Sequence, residues 1–430
     1  MNFKMLHPAD QLIMIMERIY GYGMTTTSGG NLSILDENGD VWITPGGIDK
    51  GSLTRQDIVR VKPDGTVIGI HKPSSEFPFH KLVYETRPDL KAVVHAHPPA
   101  LVAFSIVRKI PDTYLLPHFQ QICGEVGMAE YALPGSTLLG EKIASVFATG
   151  MNAVMLENHG VVVGGTDLFQ AFMAFETLEY CARLEIKAKR IGTPVSLTKE
   201  SVDIPAGQKY NFEKEFTVDY YTSDERAARR DMCQLIHRAY KQKLITSTEG
   251  TFSQKISDGS FIITPYGMDR KYLELEDLVK IQDGTAKEAG KVPSRAVTLH
   301  QEIYASHPEI KSIVIAHPPS TMAFAVTEEQ FDSRTIPESY ILLRDIPKLP
   351  YGATTQDTKS VAQALGKAVP LVFVKNDCVI VTGGSLLEAF DRLEVVEYSA
   401  KAVVSAKAIG EIVQIDEEKI GDLKVAFDLE

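Results

Sequence analysis

The chain has 430 residues, of which 44% are hydrophobic, and a formal net charge of −11. This length exceeds one typical hydrophobic core, so two domains are expected. The negative charge disfavours nucleic acids and anionic membranes as partners, and any anionic substrate would have to be held by local geometry. Four widely spaced cysteines without a Cys-x-x-Cys motif predict neither a disulfide framework nor a thiolate zinc site.

The beginning of the chain carries no signal for export. Residues 1–8 lack the basic segment and uninterrupted apolar stretch of a signal peptide. No apolar run approaches the length of a membrane span. The sequence therefore predicts a cytoplasmic protein.

The first half alternates helical patterns with short strand-like runs separated by turn residues. The predicted helices are 9–22, 80–86, one starting at Pro99, and 167–190. The predicted strands are 31–34, 41–43, 58–61, the run containing His95, 152–156 and 161–163. This order lacks the steady alternation of a parallel sheet, so an α+β fold or a layered αβα sandwich fits it.

The second half repeats the first at a constant offset (317 − 97 = 220). The recurring pieces are 97–104 at 317–324, 43–47 at 263–267, 73–76 at 293–296, and His80 at His300. We predict an α/β fold made of two tandem copies, each a layered αβα sandwich with a mostly antiparallel central sheet. The first domain is expected over 1–204 and the second over 223–430, joined by an aperiodic linker at 205–222.

Three histidines of the first copy have the spacing of a metal site. Side chains alternate along a strand, so His95 and His97 project from one face with their Cα atoms about 7 Å apart. His159 follows another apolar strand. Zn²⁺ held by three neutral imidazoles keeps positions open to substrate or water, as in catalytic sites. The alternative for each histidine is an ordinary core or turn position.

The second copy keeps the strand and helix pattern but changes these polar positions. The replacements are Ile315 for His95, Ala296 for Glu76, Thr251 for Asn31, and Asp377 for His159, while His317 retains the imidazole of His97. Packing residues would not be expected to disappear together from a domain of unchanged pattern. The contrast favours one functional unit in the first copy.

Glu76 is the candidate acid or base beside this cation. A metal polarises a ketone oxygen and acidifies the adjacent C–H, so that a carboxylate becomes a sufficient base at neutral pH. Reprotonation of the resulting enediolate gives epimerisation, and its addition to an aldehyde gives aldol chemistry. The alternative is a solvated loop glutamate.

Three clusters of glycine and hydroxyl residues suggest a pocket for phosphate or another small oxyanion: 28–31, 44–47 and 74–75. Each alone would also fit an ordinary turn, and none matches a P-loop or dinucleotide fingerprint.

Five motifs of the first copy together resemble the class II aldolase/adducin family. They are Gly30-Asn31-Leu-Ser33, Ile43-Thr-Pro-Gly-Gly47, Pro73-Ser-Ser-Glu76, His95-Ala-His97 and Asn158-His-Gly160. The resemblance covers residues 8–195, and 225–405 as a degenerate second copy. It implies Zn²⁺ or another divalent cation on His95, His97 and His159, with Glu76 as the acid/base.

The resemblance also implies where a substrate is bound. Asn31, Gly47, Ser74 and Ser75 match the family's phosphate-binding positions. Gly46 stands where phosphate-binding members often carry a hydroxyl residue, so a non-phosphorylated or differently placed anion stays open. The glutamate at position 76 resembles the residue that the family's aldolases carry there, whereas the family's epimerases carry aspartate.

The function expected from the resemblance is a zinc-dependent aldolase, a carbon–carbon lyase acting on a small phosphorylated ketose through an enediolate. The alternatives are a metal-dependent epimerase, dehydratase or decarboxylase of a sugar phosphate or sugar acid, and a non-catalytic adducin-like binding protein. Members of the family assemble into four-fold rings. The resemblance therefore implies that this chain forms a homo-oligomer, either a ring-like dimer of tandem chains or a larger assembly.

Overall fold

The computed structural model describes residues 3–202, 212 and 214–429. Within the predicted linker, residues 205–211 and 213 lie outside the described residues. The domain limits expected at 204 and 223 therefore remain predictions.

The first half of the chain contains seven described helices and eight described strands. The helices are α1 (Pro8–Gly21), α2 (Phe77–Thr86), α3 (Pro99–Ile106), α4 (Pro117–Cys123), α5 (Thr137–Phe147), α6 (Leu168–Ile191) and α7 (Lys199–Val202). The strands are β1 (Asn31–Leu35), β2 (Val41–Ile43), β3 (Val59–Val61), β4 (Val67–Ile68), β5 (Ala92–Ala96), β6 (Val126–Ala129), β7 (Ala153–Leu156) and β8 (Gly160–Gly165).

The second half, as described, contains eight helices and nine strands. The helices are α8 (Ser223–Lys241), α9 (Val297–Ser306), α10 (Pro319–Ala325), α11 (Pro337–Leu343), α12 (Ala353–Gln356), α13 (Thr358–Ala364), α14 (Leu386–Ala406) and α15 (Glu417–Ala426). The strands are β9 (Lys214–Phe216), β10 (Thr251–Lys255), β11 (Phe261–Ile263), β12 (Val279–Gln282), β13 (Ala286–Glu288), β14 (Ser312–Ala316), β15 (Lys348–Leu349), β16 (Leu371–Val374) and β17 (Cys378–Gly383).

Each copy has one central sheet. The first sheet has the order β4-β3-β2-β1-β5-β8-β7-β6, and the second has the order β15-β16-β17-β14-β10-β11-β12-β13-β9. Adjacent strands are antiparallel except for the parallel pairs β6–β7, β15–β16 and β9–β13. The sheets are therefore mixed, with antiparallel pairing dominant, which confirms the predicted sheet type.

The two sheets share the register of their central strands. Asn31 of β1 lies opposite His95 of β5, and Thr251 of β10 lies opposite Ile315 of β14. Because a shift of one residue would reverse every side chain of a strand, this agreement is a strict test of structural equivalence. The predicted duplication is confirmed at the level of individual residue pairs.

Both faces of the first sheet are buried, as a layered sandwich requires. Val93 of β5 joins a core cluster with α2 and α5, which contribute Val83 and Ile143. Val94 and Ala96 point to the opposite face and are equally buried. On its own sheet, the second copy repeats this arrangement with a core cluster that includes residues of α9 and α13. The predicted αβα sandwich is confirmed.

The described chain divides into two compact units. One consists of the residues up to Tyr114 together with His118–Arg183, and the other of Leu115–Pro117 together with the residues from Leu184 onward. The division thus falls within α6. Across the part of the chain that the structure describes, no helix combines the length and apolar character needed to cross a membrane.

The predicted elements differ from the observed ones mainly between α3 and β7. The sequence analysis predicted nothing there, whereas the structure contains α4, β6 and α5. The helix predicted to start at His80 begins at Phe77, with Pro78 in its first turn, where proline lacks only an N–H that has no helical partner.

Candidate metal centre

His95 lies on the central strand β5 and is fully buried. Its Nδ1 lies 2.9 Å from the carbonyl oxygen of Val161 on the neighbouring strand β8. In the neutral tautomer that donates this hydrogen bond, Nε2 keeps its lone pair. The sheet therefore orients one imidazole nitrogen of His95 as an acceptor or a metal ligand.

The pairing of β5 with β8 brings the other two imidazoles to the same point. Ala96 at the end of β5 lies opposite Val161, so His97 just beyond β5 meets His159 just before β8. One ligand nitrogen from each of His95, His97 and His159 lies within 4.8 Å of the others. The structure thus brings together the three histidines that the sequence analysis singled out.

The turn between β7 and β8 aims His159 at this point. Asn158 has φ of 54°, in the left-handed region that asparagine tolerates better than most residues. Gly160 follows, and a Cβ there would lie 2.6 Å from the carbonyl oxygen of Ala96 and 2.7 Å from Cδ2 of His97. The absence of a side chain at position 160 therefore leaves room for the His97 imidazole beside the turn.

Glu76 lies at the N-cap of α2, on the side of the sheet that His95 faces. Its Oε2 lies 3.2 Å from Nε2 of His95, and its Oε1 lies 3.8 Å from Nε2 of His159. The residue is only 8% exposed, and Oε1 has no hydrogen-bond partner among the described residues. A buried carboxylate oxygen is thus directed at the imidazole cluster.

The electrostatic environment keeps the Glu76 carboxyl group ionised and the imidazoles of His97 and His159 neutral. Burial acts to raise the pKa of Glu76, but the charge and hydrogen bond of His95 and the hydrogen bond of Asn31 outweigh it and lower the pKa. Burial lowers the pKa of His97 to about 3 and that of His159 to about 4. At neutral pH these imidazoles offer lone pairs.

These donors fit a divalent cation. Nε2 of His95 and Nε2 of His97 lie 3.1 Å apart. Two nitrogens bound to one tetrahedral Zn²⁺ at the usual bond length would be separated by about 3.3 Å. Three imidazoles and an adjacent buried carboxylate oxygen thus form a donor set that could hold a divalent metal ion.

A buried hydrogen-bond network holds the Glu76 carboxylate in place through Asn31. Nδ2 of Asn31 donates to Oε2 of Glu76 over 2.7 Å, and Oδ1 of Asn31 is bonded to Nε2 of His80. Nδ1 of His80 lies 2.7 Å from Oγ of Ser33, which lies 2.6 Å from the hydroxyl of Tyr84. Burial lowers the pKa of His80 to about 3, so the imidazole is neutral and donates from one nitrogen only.

The second copy retains the bonded serine, histidine and tyrosine of this network and loses the asparagine and glutamate. Ser253, His300 and Tyr304 repeat the bonded trio. Thr251, in place of Asn31, is bonded instead to Ser294, and Nε2 of His300 has no partner among the described residues. The repeat of His80 at His300 is visible in the sequence, and this constant spacing is the signal that could have indicated the structural role of His80.

The glycine and hydroxyl clusters converge beside Glu76. Pro45 pairs with Pro73 in an isolated bridge, and a Cβ on Gly46 would lie 3.5 Å from Cα of Ser74. Oγ of Ser74 accepts a hydrogen bond from the backbone N–H of Glu76 over 3.3 Å. The 44–47 and 73–75 segments are therefore neighbours, while Asn31 of the 28–31 cluster contacts Glu76 itself.

Lys50 is a second residue that the sequence analysis missed. The residue is 2% exposed, and its Nζ donates to the carbonyl oxygen of Pro45. Burial lowers the pKa of Lys50 to about 8. Arg270 holds Pro265 in the same way in the second copy. A buried cation thus supports the 44–47 segment and its counterpart.

Comparison with known proteins shows the family to which this chain is related. A family model described as the class II aldolase and adducin N-terminal domain matches residues 10–186 and 230–404. A 5-deoxy-D-ribulose 1-phosphate aldolase of Bacillus thuringiensis serovar kurstaki is 32% identical over 200 residues, covering 45% of this chain and 91% of the relative. A 3-oxo-tetronate 4-phosphate decarboxylase of Haemophilus influenzae is 32% identical over 179 residues, which cover 41% of this chain and 85% of the relative.

A solved structure of an L-fuculose 1-phosphate aldolase is 34% identical, covers 46% of this chain and 92% of its own, and has a TM-score of 0.42. The two matched segments span most of the chain, in the positions that the 220-residue repeat predicts. The chain therefore belongs to the class II aldolase and adducin N-terminal domain family, of which it contains two copies.

Proposed function

We propose that the first copy is a zinc-dependent aldolase that cleaves or forms a carbon–carbon bond in a small phosphorylated ketose. The observation that carries this proposal is the contact of the ionised Glu76 carboxylate with an imidazole cluster suited to a cation. His95, His97 and His159 would hold the cation. When bound, a divalent ion supplies Lewis acidity that acidifies the C–H next to a ketone.

Glu76 is the proton acceptor in this proposal. In the direction of synthesis, Glu76 takes the proton from the carbon next to the ketone, and the resulting enediolate adds to an aldehyde. In the direction of cleavage, Glu76 returns that proton. Asn31 keeps Oε2 of Glu76 in place through its hydrogen bond, so that Oε1 is the oxygen available to the substrate.

The substrate phosphate is proposed to bind Gly47, Ser74 and Ser75, with Asn31 at the border between this pocket and Glu76. Support comes from the proximity of the 44–47 and 73–75 segments. Gly47 has φ of 69°, a conformation that directs backbone N–H groups differently from an ordinary strand. The two curated relatives named above also act, by their names, on phosphorylated compounds.

A second candidate function is decarboxylation of a 3-oxo sugar acid phosphate. It is favoured by the decarboxylase relative, whose identity to this chain equals that of the aldolase. Loss of CO₂ from a 3-oxo acid also leaves an enolate that needs a proton, so Glu76 would act as the acid. A non-catalytic adducin-like protein has less support, because the candidate ligands and Glu76 are all present. An epimerase or a dehydratase has less support because neither relative named above has such an activity in its name.

We further propose that the protein acts in the cytoplasm as a homo-oligomer. Light scattering of the purified, metal-loaded chain measures the oligomer. A monomer at micromolar concentration would contradict this part of the proposal and leave the reaction chemistry unaffected.

The test is a substrate screen with the zinc-loaded protein. Ketose 1-phosphates, the same ketoses without phosphate, and a 3-oxo-tetronate 4-phosphate are supplied, and the products separate cleavage from decarboxylation. Glu76→Gln is expected to retain bound metal and to lose turnover by about 10²–10⁴-fold. His95→Ala is expected to lose the metal.

Glu85→Gln is the control for Glu76→Gln, because Glu85 lies exposed on the same helix. It should behave like the wild type. Wild-type protein without stoichiometric metal, or full activity in Glu76→Gln, would refute the proposed mechanism.

A further inference from the structure

The second copy contains a cavity where the first copy has its candidate metal centre. The cavity has a volume of about 340 Å³, within the range typical of small-molecule sites. Its lining includes the counterparts of Asn31, Ser74, Ser75, Glu76, His97 and His159, which are Thr251, Ser294, Arg295, Ala296, His317 and Asp377. Of these six positions, only Ser294 and His317 keep the residue type of the first copy.

The donor set of this cavity does not suit a metal ion. Ile315 replaces the central imidazole His95 in the same strand register. Ala296 replaces the carboxylate at the N-cap of α9. Within the described residues, the histidine cluster suited to a metal is that of the first copy. The chemistry proposed for the first copy therefore has no counterpart here.

A fixed guanidinium provides the positive charge of this cavity instead. Nη2 of Arg295 lies 3.5 Å from Oε1 of Glu249, a residue that stands where the first copy has Gly29. Burial raises the pKa of Asp377, and the hydrogen bond from Thr354 and the charge of Arg295 oppose this rise. Burial raises the pKa of Glu249 as well, again against the charge of Arg295. Arg295 therefore lies near two buried carboxyl groups.

Hydroxyl groups complete the polar lining. Thr251 and Ser294 are bonded to each other over 2.7 Å, and the hydroxyl of Thr354 donates to Asp377. Each hydroxyl can both donate and accept, while carboxylates accept and a guanidinium donates. Such a lining matches a ligand that carries several hydroxyl groups. A phosphate dianion would face two carboxyl groups against one guanidinium.

We propose that the second copy is a metal-independent binding site for a small, neutral polyhydroxylated molecule, of the size of a free pentose or pentitol. The proposal does not depend on the reaction of the first copy. The carboxyl groups of Glu249 and Asp377 accept hydrogen bonds from hydroxyl groups of the ligand, Arg295 donates hydrogen bonds to its oxygen atoms, and Ala296 leaves the space that the ligand occupies.

The test uses the full-length chain treated with a chelator, with ribitol and D-ribulose as probes in saturation-transfer NMR and calorimetric titration. Saturable binding of one probe per chain is expected at millimolar concentration or below. It should persist in His95→Ala, because that substitution changes only the first copy. Ala296→Leu fills the cavity without removing a polar group and should weaken binding at least about tenfold.

Asp377→Asn is a second variant of nearly unchanged size, and it should weaken binding about tenfold because an amide NH₂ group replaces one carboxyl oxygen and cannot accept a hydrogen bond. Circular dichroism verifies that both variants are folded. The proposal fails if neither probe binds up to about 10 mM. It also fails if His95→Ala abolishes binding while Ala296→Leu does not, or if inorganic phosphate displaces ribitol at equal concentration.

Discussion

At the scale of single residues, Asn31 distinguishes the two copies more sharply than its neighbours do. Its amide joins the buried His80 to the Glu76 carboxylate. The trio behind it is present in both copies and therefore belongs to the fold. Asn31 therefore connects this structural network to Glu76 of the candidate site.

We expect Asn31→Thr, which introduces the residue of the second copy, to lower kcat about 10–100-fold. The threonine cannot bond His80 and Glu76 at once, so the carboxylate loses its fixed orientation. Bound metal, measured by atomic spectroscopy, should remain at the wild-type level. Asn38→Thr, at an exposed turn position, is the control, and equal loss of metal and activity in Asn31→Thr would contradict an orienting role.

Lys50 predicts a particular dependence of stability on pH. Its pKa is about 8 in the folded chain, below the ordinary 10.5. Below pH 8 Lys50 is protonated in both the folded and the unfolded chain, and burial of its charge lowers the free energy of unfolding by the full amount. Between pH 8 and 10.5 only the unfolded chain keeps the proton, so the free energy of unfolding rises with pH.

We expect wild-type protein to gain about 2–3 kcal/mol of unfolding free energy relative to Lys50→Met between pH 7.5 and 10.5. Urea denaturation at several pH values measures the difference, and the comparison cancels the titration of all other groups. Lys72→Met, at an exposed position, should run parallel to the wild type. If the difference in unfolding free energy between wild type and Lys50→Met did not change with pH, the buried charge of Lys50 would not destabilise the folded chain.

At the scale of elements, the site depends on two neighbouring strand ends. The β5–β8 pairing brings His159 to His97, and Gly160 allows the close approach. The second copy has Cys378 in place of Gly160 at the start of β17, so the fold accepts a side chain there. The glycine therefore matters for the imidazoles more than for the sheet.

Gly160→Ala is expected to fold and to bind metal about 10–100-fold more weakly, because the added methyl group displaces His97. Competition with a chelating dye measures the affinity. Gly21→Ala is the matched control, since a Cβ at Gly21 has no atom within 4 Å among the neighbours considered. Unchanged affinity in Gly160→Ala would mean that the turn does not determine the position of His97.

The sequence predicted the elements around the site better than those at the edge of the sheet. The alternation of side chains on β5 and the apolar strand before His159 are local signals, and they are sufficient to nominate the histidines. Strand β6 is short, contains Gly127, and forms through parallel pairing with β7, which no local pattern reveals. The buried Lys50 was equally hidden, because lysine is almost always exposed.

At the scale of the whole molecule, a metal should stabilise one copy only. Ligand binding to the folded state adds about 2.7 kcal/mol at a hundredfold excess over Kd. We expect calorimetry of the chelator-treated chain to show two transitions, of which zinc raises one by about 5–10 °C. In His95→Ala neither transition should move. A wild-type chain in which zinc raises both transitions would contradict the assignment of a single metal centre.

The common register of β1–β5 and β10–β14 has a consequence for the history of this chain. Ile315 stands on the backbone position that His95 holds, so neither side chain is required for the strands to align. Divergence after the duplication was therefore free to alter the chemistry of one copy without endangering its architecture. A tandem chain of this kind can therefore change the side chains of one candidate site while both copies keep the same backbone register.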